Sequence, residues 1–542
     1  MKKQLKRILY SIKENKIESF LLAVIILVAS FLRFYKITEL YFFTYDQARD
    51  DLIVKRILVD HKLTLLGPQS SMRGVYLPPF YYYTLAPVLW VSRLNPVGVD
   101  IYTAVIGVLT VTLIWYMAKK FFGRIPGLMV GALYATSPLI VELSRHAWNP
   151  NTQPFFVLLT IWFLYRLFKT KKEKCLIFVS LAFGYAVNLH YGALCLLPIW
   201  LFAFSWLLKE SRRRDLVLIS LSILFFFFLP LLLFDLRHNF MLTKNIYTYF
   251  FVGERVSLSP NKFFEPMVTS IYQLLVALLS GSFVKTAEVP FEFWGKANSV
   301  LQFAPVSIIA HKPLLVKYQW WGVGLLLLLV FSLISFFFQK EKRDKKDQKV
   351  KMIIKILLAT IFVSSLVSRF YIGKFYFFYY IFLYPSPFLF LGFLFWFWWQ
   401  KKIFRPVIML IFLFMFSFNL RHALVFEKPE RTIKDIISAS QVIAADIGEE
   451  KSFVIAANYR SPDRWDHNAV DYRYFVEAYF GKRGLDWQPK DYRQAQILYV
   501  VAEGGLPDPI NAKIMEIYEF GPKKIEKTWE LPKEVYIYKM RR

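Results

Sequence analysis

Three carboxylates and an arginine crowd into one short stretch, Phe42-Phe43-Thr44-Tyr45-Asp46-Gln47-Ala48-Arg49-Asp50-Asp51, directly after the apolar run Ser19 to Tyr35. That run is about the length needed to cross a bilayer. Charge at such an edge is expensive unless a polar cavity solvates it or a partner compensates it. A positioned carboxylate can take the proton of an attacking hydroxyl, and Asp46 is the candidate catalytic base. The competing reading is that the acids start a solvated juxtamembrane helix, whose dipole stabilises them. Asp50, four residues on, would share a helix face with Asp46 and could pair with Arg49 or Arg73. Two further pairs, Arg145-His146 and Arg237-His238, could hold an anion, because the planar guanidinium fork matches phosphate oxygens and stays charged. Against that stands the ordinary use of arginine at a helix end, as an interfacial anchor. Asn149 belongs to the motif Trp148-Asn149-Pro150, which could also cap a helix. His190 reads as a hydrogen-bonding residue inside a bundle. The scattered His and acid residues match no metal-ligand spacing, so no metal is assigned and no cofactor is required.

These residues must be positioned by membrane helices. Of 542 residues 56% are hydrophobic and 19% aromatic, far too apolar for a soluble chain. The formal charge of +29 does not signal nucleic acid. Residues 421 to 542 are balanced, with 20 basic against 19 acidic residues, so the excess lies in the apolar part, in short loops. Cys175 and Cys195 both lie in or beside apolar runs and make no disulfide framework.

Eleven apolar runs read as spans: Ser19 to Tyr35, Ile101 to Ala118, Ile125 to Val141, Thr152 to Phe168, Cys175 to Leu189, Leu194 to Leu208, Leu216 to Phe234, Trp320 to Phe338, Met352 to Val367, Phe375 to Trp399 and Ile403 to Phe418. A twelfth run, Val75 to Val91, is interrupted by Pro78, Pro79 and Pro87. Leaving it out places every strongly basic loop on the side of the N-terminus, the cytoplasm. Counting it would put them all outside, so it reads as an interfacial or re-entrant segment. With eleven spans, Asp46, Arg145, His146, His190, Arg237 and His238 share the outer side.

The expected organisation is a transmembrane domain over residues 1–420, with long outer loops at 36–100 and 235–319, and an exterior α/β domain over 421–542. In the latter, Arg431 to Gly448 carries isoleucines at helical spacing and Val470 to Phe480 reads as a helix. Ser452 to Ala457 and Gln496 to Ala502 read as buried strands, and Trp529 to Tyr538 as a strand pair. Its most site-like patch is Arg464-Trp465-Asp466-His467, which a surface loop also explains.

Taken together, the outer-loop acid, the segment Leu77-Pro78-Pro79-Phe80-Tyr81-Tyr82-Tyr83 and the motif Ser144-Arg145-His146-Ala147-Trp148-Asn149-Pro150 resemble the membrane glycosyltransferases of the GT-C fold. The nearest likeness is to bacterial members of the dolichyl-phosphate-mannose protein mannosyltransferase superfamily, over roughly Phe31 to Phe240. The resemblance implies a polyprenyl-phosphate-linked sugar donor taken from the bilayer, and a protein, lipid or glycan acceptor at the outer face. It also implies that Asp46 takes the acceptor proton. Gln47 departs from the family's frequent Asp-Glu pair. Phosphate is already a good leaving group, so a cation can replace the general acid that a glycosidase needs; Arg145 and Arg237 are the candidates, with His146 and His238 beside them. One base suffices for direct displacement, which inverts the anomeric centre.

The expected fold is thus mainly α, a multi-pass cell-membrane protein with a small exterior α/β domain. The expected function is an inverting glycosyltransferase, with a lipid or polysaccharide transporter or flippase as the alternative. Reporter tags test the span count: one at Lys172 is expected on the cytoplasmic side and one in the tail outside, and finding both on one side would overturn it.

Overall fold

Inside a bilayer a backbone amide finds no water, so apolar runs must close their hydrogen bonds within helices. The computed structural model describes residues 16–40, 43–210, 213–252, 320–339, 345–371, 377–426, 431–448, 452–460 and 468–542, with a few positions between 267 and 279. Over those residues each of the eleven apolar runs is helical. In chain order the helices are α1 (Lys16–Phe34), α2 (Tyr45–Leu58), α3 (Phe80–Val91), α4 (Val97–Phe122), α5 (Arg124–Thr136), α6 (Pro138–Leu143), α7 (Gln153–Thr170), α8 (Cys175–Leu189), α9 (Leu197–Glu210), α10 (Arg214–Arg237) and α11 (Met241–Tyr247). They continue with α12 (Trp320–Phe338), α13 (Lys345–Val367), α14 (Pro385–Trp399), α15 (Arg405–Arg421), α16 (Ile433–Asp446), α17 (Val470–Ala478), α18 (Pro489–Gln494) and α19 (Met515–Phe520).

Six helices among the described residues are long and apolar enough to cross a membrane: Lys16–Phe34, Val97–Phe122, Tyr191–Lys209, Arg214–Arg237, Lys346–Phe370 and Lys402–Arg421. Cys175–Leu189, Gly322–Phe338 and Pro385–Trp399 are apolar but shorter. The run from Ile125 breaks where Pro138, lacking an N–H, starts α6. Of the twelfth run only the 12 residues of α3 are helical, with Pro87 inside, short of the roughly 20 that a span needs. The chain is a mainly helical, multi-pass membrane protein with a small α/β part.

Its contacts divide it into two compact units. The larger comprises Met1–Tyr35, Thr64–Tyr81 and Ile101–Phe426, and the smaller Lys36–Leu63, Tyr82–Asp100 and Glu427–Arg542. This division differs from one at residue 420 in placing two segments of the first long loop with the tail. The larger unit packs around side chains such as Val130, Leu133, Leu158, Phe183 and Phe393. Two indoles pin its helices, Trp200 Nε1 donating to Ser180 Oγ and Trp398 Nε1 to Ser332 Oγ, both at 3.0 Å.

The smaller unit holds a four-stranded sheet of order β1 (Phe453–Asn458), β2 (Ile497–Glu503), β4 (Val535–Arg541), β3 (Lys524–Leu531). β1 and β2 are parallel, and β4 runs antiparallel to both β2 and β3. All seven residues of β2 are buried, as a central strand covered on both faces requires. The β3–β4 turn carries Lys533 and Glu534 at positive φ, 64° and 56°, the twist that suits a tight hairpin. Arg431 is buried against Asp471 and Glu503, with its guanidinium 4.8 Å above the Tyr472 ring. The first-loop helix α2 joins this unit through Lys55 Nζ and Arg56 Nη2, each 3.1 Å from the Glu477 carboxylate of α17. Phe43 packs edge-on against Tyr474, whose hydroxyl donates to Leu94 O at 2.6 Å. The patch Arg464 to His467 lies outside the described residues, as does most of the loop from 235 to 319.

Candidate functional site

In the smaller unit the site begins with the start of α2. Thr44 N and Thr44 Oγ1 both donate to Gln47 Oε1, at 3.0 and 3.1 Å. This closes the first turn at its open end. Gln47 Nε2 in turn donates to Asp100 Oδ1 at 3.1 Å, so the residue that departs from the family's acid pair is occupied in holding α2 in place. One turn along, Arg49 grips two acids: Nη1 reaches Asp46 Oδ1 at 2.6 Å, while Nε and Nη2 reach Asp50 Oδ1 at 2.9 and 2.7 Å. Asp50 therefore shares a helix face with Asp46 and pairs with Arg49. Tyr82 OH adds a third bond to the same Asp50 oxygen, at 2.9 Å.

Burial separates the three acids. Asp50 is 2% exposed at its side chain, and burial, offset by Arg49 and reinforced by Asp46, raises its carboxyl to about 6. Burial works against the charge of Arg49, but Asp50 and then Asp46 raise its pKa above the ordinary value. Asp51 is fully buried, and its Oδ2 has no hydrogen-bond partner among the described residues. Burial, then Asp50 and Asp100, raise its carboxyl well above the usual range. Asp46 differs from both. Its side chain is 39% exposed, and Oδ2 carries no hydrogen bond among the described residues. One of its oxygens is held by Arg49 and the other, among the described residues, is unbonded.

In the larger unit the predicted cations separate into two kinds. Arg145 is buried and spent on the backbone: Nη1 donates to Leu32 O and Arg33 O, both at 3.0 Å, and Nη2 to Tyr35 O at 2.9 Å. It caps the end of α1, where a cation also meets the negative end of the dipole. His146 is buried beside it, and burial, then the charge of Arg145, push its imidazole down to about 3. It is neutral, with Nδ1 unpartnered among the described residues. Asn149 Nδ2 donates to Leu189 O, which ties the 3-10 turn before α7 to the end of α8. His190 accepts from Gly192 N at 3.0 Å, and burial lowers it to about 4. It shapes the turn between α8 and α9, in line with its reading as an internal hydrogen-bonding residue.

Arg73, Arg237 and His238 are exposed. Among the described residues neither arginine has a hydrogen-bond or ion-pair partner. Arg73 sits at the tip of a hairpin closed by the Gln69–Tyr76 bridge. Its neighbour Gly74, at φ +72°, has no room for a Cβ against the Asn245 amide, and Gly74 O accepts from Asn245 Nδ2 at 2.9 Å. That contact sets the hairpin on α11. Asp235, just before Arg237, holds the first turn of α11 through Leu242 N at 2.7 Å and Thr243 N at 3.1 Å. Tyr191 OH reaches Tyr76 O, also on the hairpin, at 2.5 Å. The fold thus brings Arg73 to the α10–α11 corner that carries Arg237 and His238, while Arg145, His146 and Asn149 serve the helix ends. His238 stacks on Phe234 at 3.9 Å and shares a 2.8 Å hydrogen bond with Phe234 O.

Sequence reasoning passed over Arg369, fully buried in the 3-10 turn after α13 beside the 2.6 Å Ser368–Tyr380 hydrogen bond. A lone arginine after an apolar run gave no signal beyond an interfacial anchor. Among the described residues no three His, Cys, Asp or Glu side chains are grouped to hold a metal.

Two outcomes follow from this geometry. Arg145→Leu strands three carbonyls and is expected to cost about 2–5 kcal/mol, whereas Arg237→Gln stays within about 0.5 kcal/mol of wild type; thermal melts of the purified variants read both. For Asp51 the folded-state pKa lies above the unfolded value near 3.8, so its burial costs nothing at lower pH and progressively more above it. Asp51→Asn is therefore expected to gain on wild type by about 1.4 kcal/mol per pH unit above pH 4, until the folded-state pKa is reached. A difference in stability that does not change between pH 4 and 8 would contradict this.

Comparison with known proteins bears on the chemistry. Residues 77–234 match the family model described as dolichyl-phosphate-mannose-protein mannosyltransferase. Asp46 precedes this stretch, Arg145, His146 and Asn149 lie within it, and Arg237 and His238 follow it. No curated protein sequence matches the chain. Among solved structures it is similar to the archaeal oligosaccharyltransferase AglB from Archaeoglobus fulgidus, solved with an inhibitory peptide and a dolichol-phosphate, at 12% identity and a TM-score of 0.48, covering 91% of this chain and 70% of that one. It is also similar to ArnT from Cupriavidus metallidurans bound to undecaprenyl phosphate, at 11% identity and a TM-score of 0.43, covering 97% and 98%. The matched stretch, residues 77–234, lies within the span over which the motifs resemble the dolichyl-phosphate-mannose protein mannosyltransferases.

Proposed function

We propose that this protein is an inverting glycosyltransferase that moves a sugar from a polyprenyl-phosphate donor to a hydroxyl acceptor at the outer face of the cell membrane, with the N-terminus in the cytoplasm. The observation that carries the reading is the state of Asp46: of the three acids on α2, it alone presents an unengaged, accessible oxygen while Arg49 holds the other. In this mechanism Asp46 Oδ2 accepts the acceptor's hydroxyl proton as its oxygen attacks the anomeric carbon. The bond from that carbon to the phosphate oxygen breaks, and the phosphate leaves with the electron pair. Attack from the opposite face inverts the centre, so no second carboxylate needs to form a covalent intermediate.

Asp50 is a positioning residue here, since its bonded oxygen is saturated by Arg49 and Tyr82 and the group is buried. The departing phosphate needs a cation with donors to spare. Arg237 and Arg73 have them, whereas Nη1 and Nη2 of Arg145 are turned to carbonyls. The family match over residues 77–234 supports sugar transfer.

The test is to incubate purified protein with a panel of polyprenyl-phosphate sugars and follow release of polyprenyl phosphate. Asp46→Asn is expected to lower turnover by roughly 10²- to 10⁴-fold. Wild-type turnover in that variant would remove the base assignment.

A further inference from the structure

Three helices of the larger unit leave an apolar groove of about 390 Å³ between them, well above the ~150 Å³ of a benzene-sized cavity. Leu21 and Val28 of α1, Ile125 and Ala132 of α5, and Met409 and Phe416 of α15 line it. Several of these side chains are open to the surroundings, Leu21, Ile125 and Met409 among them. The groove therefore faces the hydrocarbon rather than the helix core.

The three helices run parallel. Their far ends meet in the cluster Leu32, Val141, Ala423 and Val425, so their starts lie together at the other end. At that end the charge is one-sided. Glu18 of α1 is held by Lys119 Nζ at 2.5 Å and by Arg124 Nε at 3.5 Å. Against this one acid stand Lys119, Arg124, Lys401, Lys402 and Arg405. Arg124 and Arg405 are the first residues of α5 and α15, each one helical turn before a groove residue, Leu128 and Met409. Each arginine therefore tops the stripe that lines the groove. A cation at a helix start opposes the dipole; Glu18 offsets this at Arg124, whereas Arg405 has no acidic partner among the described residues, so an added anion would relieve it. Arg405 Nε also donates to the carbonyl of Trp399, whose side chain lines the groove.

We propose that the groove holds one acyl chain of an anionic diacyl phospholipid, with its headgroup phosphate on Arg124 and Arg405. An apolar slot open to lipid suits the chain, and the net positive end suits the headgroup. A polyprenyl phosphate offers the same headgroup charge on a single longer tail, and the measurement below separates it from a diacyl phospholipid.

Native mass spectrometry of the full-length protein, delipidated and then mixed with phosphatidylglycerol, phosphatidylcholine or undecaprenyl phosphate in micelles, tests the assignment. Phosphatidylglycerol is expected to be retained at least several-fold over phosphatidylcholine of the same chains. The Arg124→Gln/Arg405→Gln pair is expected to lower that retention roughly tenfold, the pair of Arg→Lys changes to preserve it, and Ala132→Phe to reduce retention by filling the slot. Should the glutamine pair not fold, a photoactivatable phosphatidylglycerol carried by wild type is expected to label α5 and α15 at residues 128–136 and 409–416. Equal retention of the two phospholipids, unchanged retention in the folded glutamine pair, labelling elsewhere, or undecaprenyl phosphate displacing phosphatidylglycerol from these residues would each overturn the proposal.

Discussion

The last carbonyls of a membrane helix have no partner within the helix, and in an apolar surround each must find a donor. At the end of α1 the buried guanidinium of Arg145 supplies three. Arg145 reaches across from the end of α6 to three consecutive-turn carbonyls, at Leu32, Arg33 and Tyr35. Arg33 itself donates to Ala29 O at 3.2 Å and to Ala135 O at 3.0 Å, tying α1 to α5. Where α1 stops, and how the chain leaves it toward the acidic stretch, follows from these bonds. Ser144 closes the same corner, its hydroxyl donating to Ile140 O at 2.6 Å, and Gly107 of α4 lies so close to Ser144 and Arg33 that no Cβ would fit.

A third guanidinium sets the electrostatics at the start of α2. Arg49 is surrounded by acids of unequal burial, and that inequality, rather than their number, separates their roles. Asp51 is buried and its carboxyl is raised well above the usual range, Asp50 is consumed by Arg49 and Tyr82, and Asp46 keeps one oxygen unbonded, among the described residues, on a partly exposed side chain. A rigid cation holding one oxygen orients the other without covering it. Glu477 and Asp486 on the Arg56 side of α2 complete its attachment to the tail's sheet unit.

Much of this was legible in the residues. Apolar length marked the six helices that, among the described residues, are long and apolar enough to cross a membrane, because hydrocarbon leaves the backbone no alternative. In the tail, the strands read at Ser452 to Ala457 and Gln496 to Ala502 are β1 and β2, each shifted by one residue, and the pair read around Pro532 is the β3–β4 hairpin. The cations were harder. Arg145 and Arg237 look alike in sequence, each beside a histidine at a helix end, yet one faces carbonyls and the other faces solvent. Spacing along a chain does not say which groups another helix will bring. Gln47 is a similar case: its change from the family's pattern is legible, but its bond to Asp100 depends on a residue 53 positions away. The membership of α2 in the same unit as the tail rests on Lys55 and Arg56 meeting Glu477, a long-range pairing that no local periodicity announces.

The bond between Arg33 and Ala135 spans 102 residues. Ribosomes add roughly 5–20 residues per second, so α1 enters the bilayer several seconds or more before its distant acceptor has been made. Through that interval the Arg33 guanidinium has Ala29 O within its own helix, and its remaining donors must stay hydrated by snorkelling to the headgroups. Its place one residue from the end of α1 permits this. The bond that ties this charge into the bundle forms only once α5 is in place, so closure of this corner waits on a segment made 102 residues later.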